Sequence, residues 1–182
     1  AAYKAIYSDP KVVGSAFDAA MECFLSYGQL LKGDRKKQLA HYREGLRFFE
    51  KNRKAPGADK AAKFAAEMRF ELLEPEFASY AALDFPADTK KATAILKKRA
   101  STLGGLQNKY IEVVKVAKGE WGIAALYRIG TIYGNFADAL RAAPCPKKLD
   151  EDQCNFYTFS LQDKAYPLVD KAVDAFTQAR EK

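Results

Sequence analysis

The chain has 182 residues, 48% of them hydrophobic, which is enough to bury a core and argues against disorder. Lys and Arg total 30 against 23 Asp and Glu, a formal charge of +7. The cations are scattered as Arg35-Lys36-Lys37, Lys90-Lys91, Lys97-Lys98-Arg99 and Lys147-Lys148, so the excess reads as a solvated surface and no nucleic-acid partner is expected.

Apolar positions recur at spacings of three and four almost throughout, the period of an amphipathic helix, and no strand emerges. A first helix is predicted from Val12 to Leu31 through Val13, Phe17, Ala20, Phe24 and Tyr27, stopped by Gly33. Asp34 N-caps a second, carried by Leu39, Tyr42, Leu46 and Phe49 and broken by Lys54, Pro56 and Gly57. A third starts near Asp59 and carries Phe64, Met68, Leu72, Phe77 and Tyr80, with a kink or break expected at Pro75 before the Asp84-Phe85-Pro86 turn. The fourth spans about Asp88 to Ala117, weakened in the middle by Gly104-Gly105 and closed by Lys118-Gly119. A fifth covers Glu120 to Ala143. After Pro144-Cys145-Pro146, Asp150 and Gln153 have the spacing of a capping box for a sixth helix reaching Arg180, with a kink expected at Pro167. The expected fold is all-α, in antiparallel helix pairs forming one domain over residues 1–182.

The fifth helix places Leu126, Ile129, Gly130 and Tyr133 in the pattern W-x2-L-G-x2-Y, with Leu126 in the Trp position, and the sixth places Ala172, Phe176 and Ala179 in A-x3-F-x2-A. These patterns resemble the two helices of the tetratricopeptide repeat (TPR), in which small residues let backbones approach while the larger ones fill the gaps. Tyr133 and Ala172 are much further apart than in an ordinary repeat, so the resemblance implies a TPR-like α-solenoid with lengthened helices. The run Glu120-Trp121, Ala124 to Gly130, Tyr133, Phe136-Ala137, Ala143-Pro144, Pro146, Leu149, Ala165, Pro167-Leu168 and Ala172 is similar to the C-terminal region of TPR proteins from the cell envelope of gliding and predatory delta-type bacteria, gliding-motility components among them. That resemblance implies a non-catalytic protein–protein interaction scaffold of a periplasmic or envelope assembly, partnered by other proteins of the complex. The alternatives are a cytoplasmic TPR-type adaptor or a basic helical-repeat nucleic-acid-binding protein. Starting Ala1-Ala2-Tyr3, the chain reads as the C-terminal fragment of a longer protein or one whose export signal has been removed.

Chemistry is sparse. His41 is the single histidine and is expected at the surface of its helix or half buried; no catalytic motif, metal site or cofactor-binding loop is recognisable, and the chain is not expected to be an enzyme. Acid pairs such as Glu71 with Glu74 read as solvated helix faces. The aromatics Tyr127, Tyr133, Phe136, Phe156, Tyr157, Phe159 and Tyr166 are expected to pack between helices. Beside Leu126, the stripe Tyr127, Thr131 and Asn135, with Arg128 at its edge, is the expected partner-binding face. Cys23 reads as a buried small residue, whereas Cys145 and Cys154 flank one loop and are either bridged or two free thiols.

Overall fold

A computed structural model describes residues 5–6, 9–83, 89–116 and 119–182; Asp84, Phe85, Pro86, Asp88, Ala117 and Lys118, invoked above at helix ends, lie outside the described residues. Among the described residues the chain is all-helical. Its helices are α1 (Pro10–Ser15), α2 (Phe17–Leu30), α3 (Arg35–Lys51), α4 (Ala58–Ala81), α5 (Thr89–Val116), α6 (Glu120–Arg141) and α7 (Glu151–Arg180). No helix among the described residues is long and apolar enough to cross a membrane.

The division of one helix and the passage of another through a proline have local causes. The helix expected from Val12 to Leu31 is divided at Ala16, whose backbone (φ −147°, ψ 55°) leaves the helical region while its N–H still bonds Val12 O at 2.7 Å. Of the kink or break expected at Pro75, the break does not occur: α4 runs through it, and the Glu71 carbonyl, which loses its helical N–H to the proline ring, accepts from Arg35 Nη2 at 3.0 Å. α7 is continuous through Pro167, which is exposed.

The chain divides into two compact units. The first comprises residues up to Glu74 and Glu112–Gly122. Its α2 and α3 are antiparallel, since Gly28 O accepts from Gln38 Nε2 at 3.0 Å near one end and the rings of Phe17 and Phe49 lie 6.1 Å apart near the other. The Asp34 cap holds, with its side chain accepting from Lys37 N at 3.1 Å. After α3 the chain turns through Gly57 in the left-handed region (φ +84°), which disfavours any other residue there. Phe17, Met21, Phe24, Tyr42, Phe49 and Met68 form the core, and Trp121 packs on Phe70 at 5.2 Å.

The second unit comprises Pro75–Ile111 and Ile123–Lys182. Contacts of Phe77 with Tyr110 (6.4 Å) and of Arg99 with the Leu83 carbonyl run in opposite directions along α4 and α5, which are therefore antiparallel. Tyr80 ties α4 to α6 by donating to Ile132 O at 3.0 Å. α6 and α7 form an antiparallel hairpin: Tyr127 meets Phe176 at 5.3 Å, and Ala137 and Leu140 pack with Leu161 and Ala165 towards the other end. At the start of α7 the capping box is complete, Gln153 N donating to Asp150 Oδ1 at 2.8 Å and Gln153 Oε1 accepting from Asp150 N at 3.3 Å.

Candidate functional site

The α6–α7 hairpin carries most of the residues that the sequence singles out. Leu126, Ile129, Tyr133 and Ala172 are buried; Ala179 is half-buried, and Phe176 is exposed at its rim. Phe176 nevertheless does the close packing, because a Cβ built on Gly130 would stand 2.5 Å from its Cε1. The Tyr133 hydroxyl donates to Gln107 Oε1 at 2.7 Å, and Lys171 Nζ lies 5.4 Å from the Tyr133 ring centroid.

The four expected partner-binding residues are not gathered on one free face. Tyr127 is exposed beside Phe176, and Thr131 turns its hydroxyl back to Tyr127 O at 2.9 Å. Arg128 lays its guanidinium 4.3 Å from the centroid of the Phe77 ring on α4. Asn135 lines a recess with Leu83, Arg99 and Asp138. The stripe divides because α4 and α7 flank α6 on different sides. Arg99 itself is buried, lies 5.2 Å from the Tyr80 ring centroid and donates through Nη2 to Leu83 O; its Nε and Nη1 find no partner among the described residues.

Several aromatic expectations are overturned. Tyr133 is buried and Phe136 and Tyr157 are half-buried, but Phe156 is 74% exposed, Phe159 64%, Tyr166 58% and Tyr127 55%. The reason is which face α7 turns inward: Leu161, Ala165, Ala172 and Ala175 are buried, and these mostly small residues let the helix approach α6 closely. Phe156, Phe159, Tyr166 and Val173 (55% exposed) are thereby left on the outer face.

That outer face also carries charge of one sign. Asp163 lies four residues after Phe159 and three before Tyr166, and Asp170 repeats the relation with Tyr166 and Val173, so the two acids border the apolar row. Asp152 stands a turn before Phe156; all three acids are exposed, and none has an ion-pair partner among the described residues. At the head of the row a recess of about 520 Å³ is lined by Leu149, Asp152, Gln153, Phe156, Tyr157 and Ser160. The sequence signal for this surface was available in the seven-residue recurrence of Phe159, Tyr166 and Val173 and of Asp163 and Asp170.

The remaining polar residues hold the fold. His41, expected at the surface or half buried, is buried: its ring stacks 4.5 Å from Phe24, and Nε2 stands 2.9 Å from Phe24 O, which accepts when that nitrogen carries the proton. Glu71 pairs with Arg35 at 2.8 Å. Burial pushes the Glu67 carboxyl above its usual range, and neighbouring Glu71 and Glu120 add to the rise against hydrogen bonds from Gln29 and Trp121. Cys145 and Cys154 are joined as a disulfide with Cα atoms 5.7 Å apart, and Cys23 is a half-buried free thiol. No protein-family model matches the chain, and neither does any curated protein or solved structure.

Proposed function

We propose that the chain is a non-catalytic, TPR-like interaction scaffold of a bacterial envelope assembly, docking another protein on the outside of its α6–α7 hairpin. The observation that carries this reading is the row Phe156, Phe159, Tyr166 and Val173, each more than half exposed on one face of α7. Large apolar side chains aligned in water mark interaction surfaces far more often than single exposed ones do. The Gly130–Phe176 approach fits the helix crossing of the TPR-like pair, and the Cys145–Cys154 bridge fits an oxidising compartment. Tyr127, in contact with Phe176, extends the surface onto α6.

Site-specific photocrosslinking in the native cell tests the proposal. A crosslinker at Tyr166 or Phe159 is expected to capture the same partner from an envelope fraction, whereas one at exposed Lys60 on α4 captures none. Absence of partner capture from both α7 positions contradicts docking there. A Tyr127→Ala, Asn135→Ala double variant separates the α6 face: full partner recovery from the folded variant removes that face and leaves α7.

A further inference from the structure

We infer that the outer face of α7 receives a basic amphipathic helix, one that sets an apolar row against Phe156, Phe159, Tyr166 and Val173 and flanks it with Lys or Arg. The inference rests on the docking reading above and adds the chemistry of the partner. Its basis is charge complementarity. The chain as a whole carries +7, yet the charged side chains bordering this row, Asp152, Asp163 and Asp170, are all acidic. The helix's own lysines do not neutralise it: Lys164 and Lys171 follow Asp163 and Asp170 by one residue, about 100° further round the helix, and Lys171 reaches the Tyr133 ring of α6.

The geometry suits a helix. Phe159, Tyr166 and Val173 recur every seven residues, the repeat that keeps one seam facing a partner helix, and from Phe156 to Val173 the row runs about 26 Å at the rise of an α-helix. Asp163 and Asp170 recur at sevens with Phe156, in the row adjoining Phe159, Tyr166 and Val173, each a turn from its neighbours in that seam and within reach of a partner's Lys or Arg. The recess at Leu149, Phe156 and Tyr157 offers the partner's terminal apolar side chain a seat, with Asp152 at its edge to meet a cation. A second copy offering its own α7 would oppose aspartate to aspartate, and an anionic lipid surface would be repelled in the same way.

The test uses the full chain with its disulfide intact and two synthetic helical peptides of about 21 residues, both with Leu at heptad positions a and d, one with Lys and one with Glu at e and g. Fluorescence anisotropy is expected to show the Lys peptide bound at least about tenfold more tightly at about 50 mM salt, with the preference shrinking at about 300 mM. An Asp163→Lys, Asp170→Lys variant, altered only at exposed positions, is expected to prefer the Glu peptide, and a Phe159→Ser, Tyr166→Ser variant to lose both. Equal binding of the two peptides, lost in the Phe159→Ser, Tyr166→Ser variant, overturns the basic-partner inference while leaving α7 as a docking face. Binding of neither peptide overturns the inference, and so does self-association of the unmodified chain that Phe159→Ser abolishes, since the face is then taken by a second copy. Unchanged circular dichroism and melting of the variants exclude misfolding as the cause.

Discussion

Arg35 donates to the main-chain carbonyl of Glu71, the group that Pro75, four residues on, leaves without its helical N–H. A guanidinium thus stands where an amide would have been, and its Nη1 also reaches Glu71 Oε2 at 2.8 Å and Gln38 Oε1 at 2.6 Å. Replacing Arg35 with Met is expected to lower stability by about 1 kcal/mol, the net worth of a partly exposed charged hydrogen bond. In a Pro75→Ala background the loss shrinks, because the restored N–H takes the carbonyl; the severed carboxylate contact is common to both backgrounds and cancels. Urea unfolding of the four proteins measures the coupling, and strictly additive changes would refute the substitution of one donor for the other.

Glycine substitutions should rank by how freely the neighbour can move. A Cβ at Gly28 would overlap the ring of Tyr42, which is 1% exposed and hydrogen-bonded through its hydroxyl to Gln38, whereas at Gly130 the obstacle is the Phe176 ring, 38% exposed. Gly28→Ala is therefore expected to cost about 2 to 3 kcal/mol and Gly130→Ala about 1 kcal/mol, with Gly130→Leu nearer the upper figure. Thermal unfolding decides it. Adding Phe176→Ala should relieve much of the Gly130→Ala loss, and a Gly130→Leu protein as stable as the parent would remove the close crossing from the account of this hairpin.

The helices themselves were legible, for reasons that individual residues show. Asp34 and Asp150 cap where a short acceptor precedes an apolar-periodic run, and the capping box formed as its spacing implied. The division at Ala16 was not legible, since Val13, Phe17 and Ala20 keep the helical spacing across it and alanine is the best helix former. The exposed row of α7 is hidden in the sequence for a different reason. Its sequence offers two stripes, one aromatic and one of small residues, and size alone favours burying the aromatic one. Close helix approach favours Ala165, Ala172 and Ala175 instead, a choice made by α6 and hence invisible within α7. The amphipathic pattern of its helix points His41 towards the surface, but Phe24 offers it both a ring face and a carbonyl.

The bridge between Cys145 and Cys154 closes a short loop, nine residues in sequence separation. By loop entropy its reduction is expected to destabilise the protein by about 2 to 3 kcal/mol. Thiol titration of the denatured, unreduced chain should return one reactive group, Cys23; three would mean the bridge does not form.

Stability should also report the Glu67 carboxyl. Its folded-state pKa is raised, chiefly by burial, so the folded protein holds this proton more tightly than the unfolded chain does. Its favourable contribution is present below the ordinary carboxyl pKa and is lost as pH rises through the raised value. Glu67→Gln should accordingly stabilise the protein at about pH 7 and make little difference at about pH 3. Melting the pair of proteins across that window checks the sign, and a variant that is less stable at neutral pH contradicts it.

A helix that turns alanines inward gains little attachment per turn from apolar area. α7 is held at its start by the capping box and the Cys145–Cys154 bridge, and beyond them by Leu161, Ala165, Ala172 and Ala175. Its opening is then expected to be graded along its length, with amides near Arg180 exchanging with solvent hydrogen first and those after Cys154 last, at free energies below that of global unfolding. A ligand lying along Phe159 to Val173 would slow the later turns most, so the exchange profile of α7 reads occupancy of its outer face residue by residue.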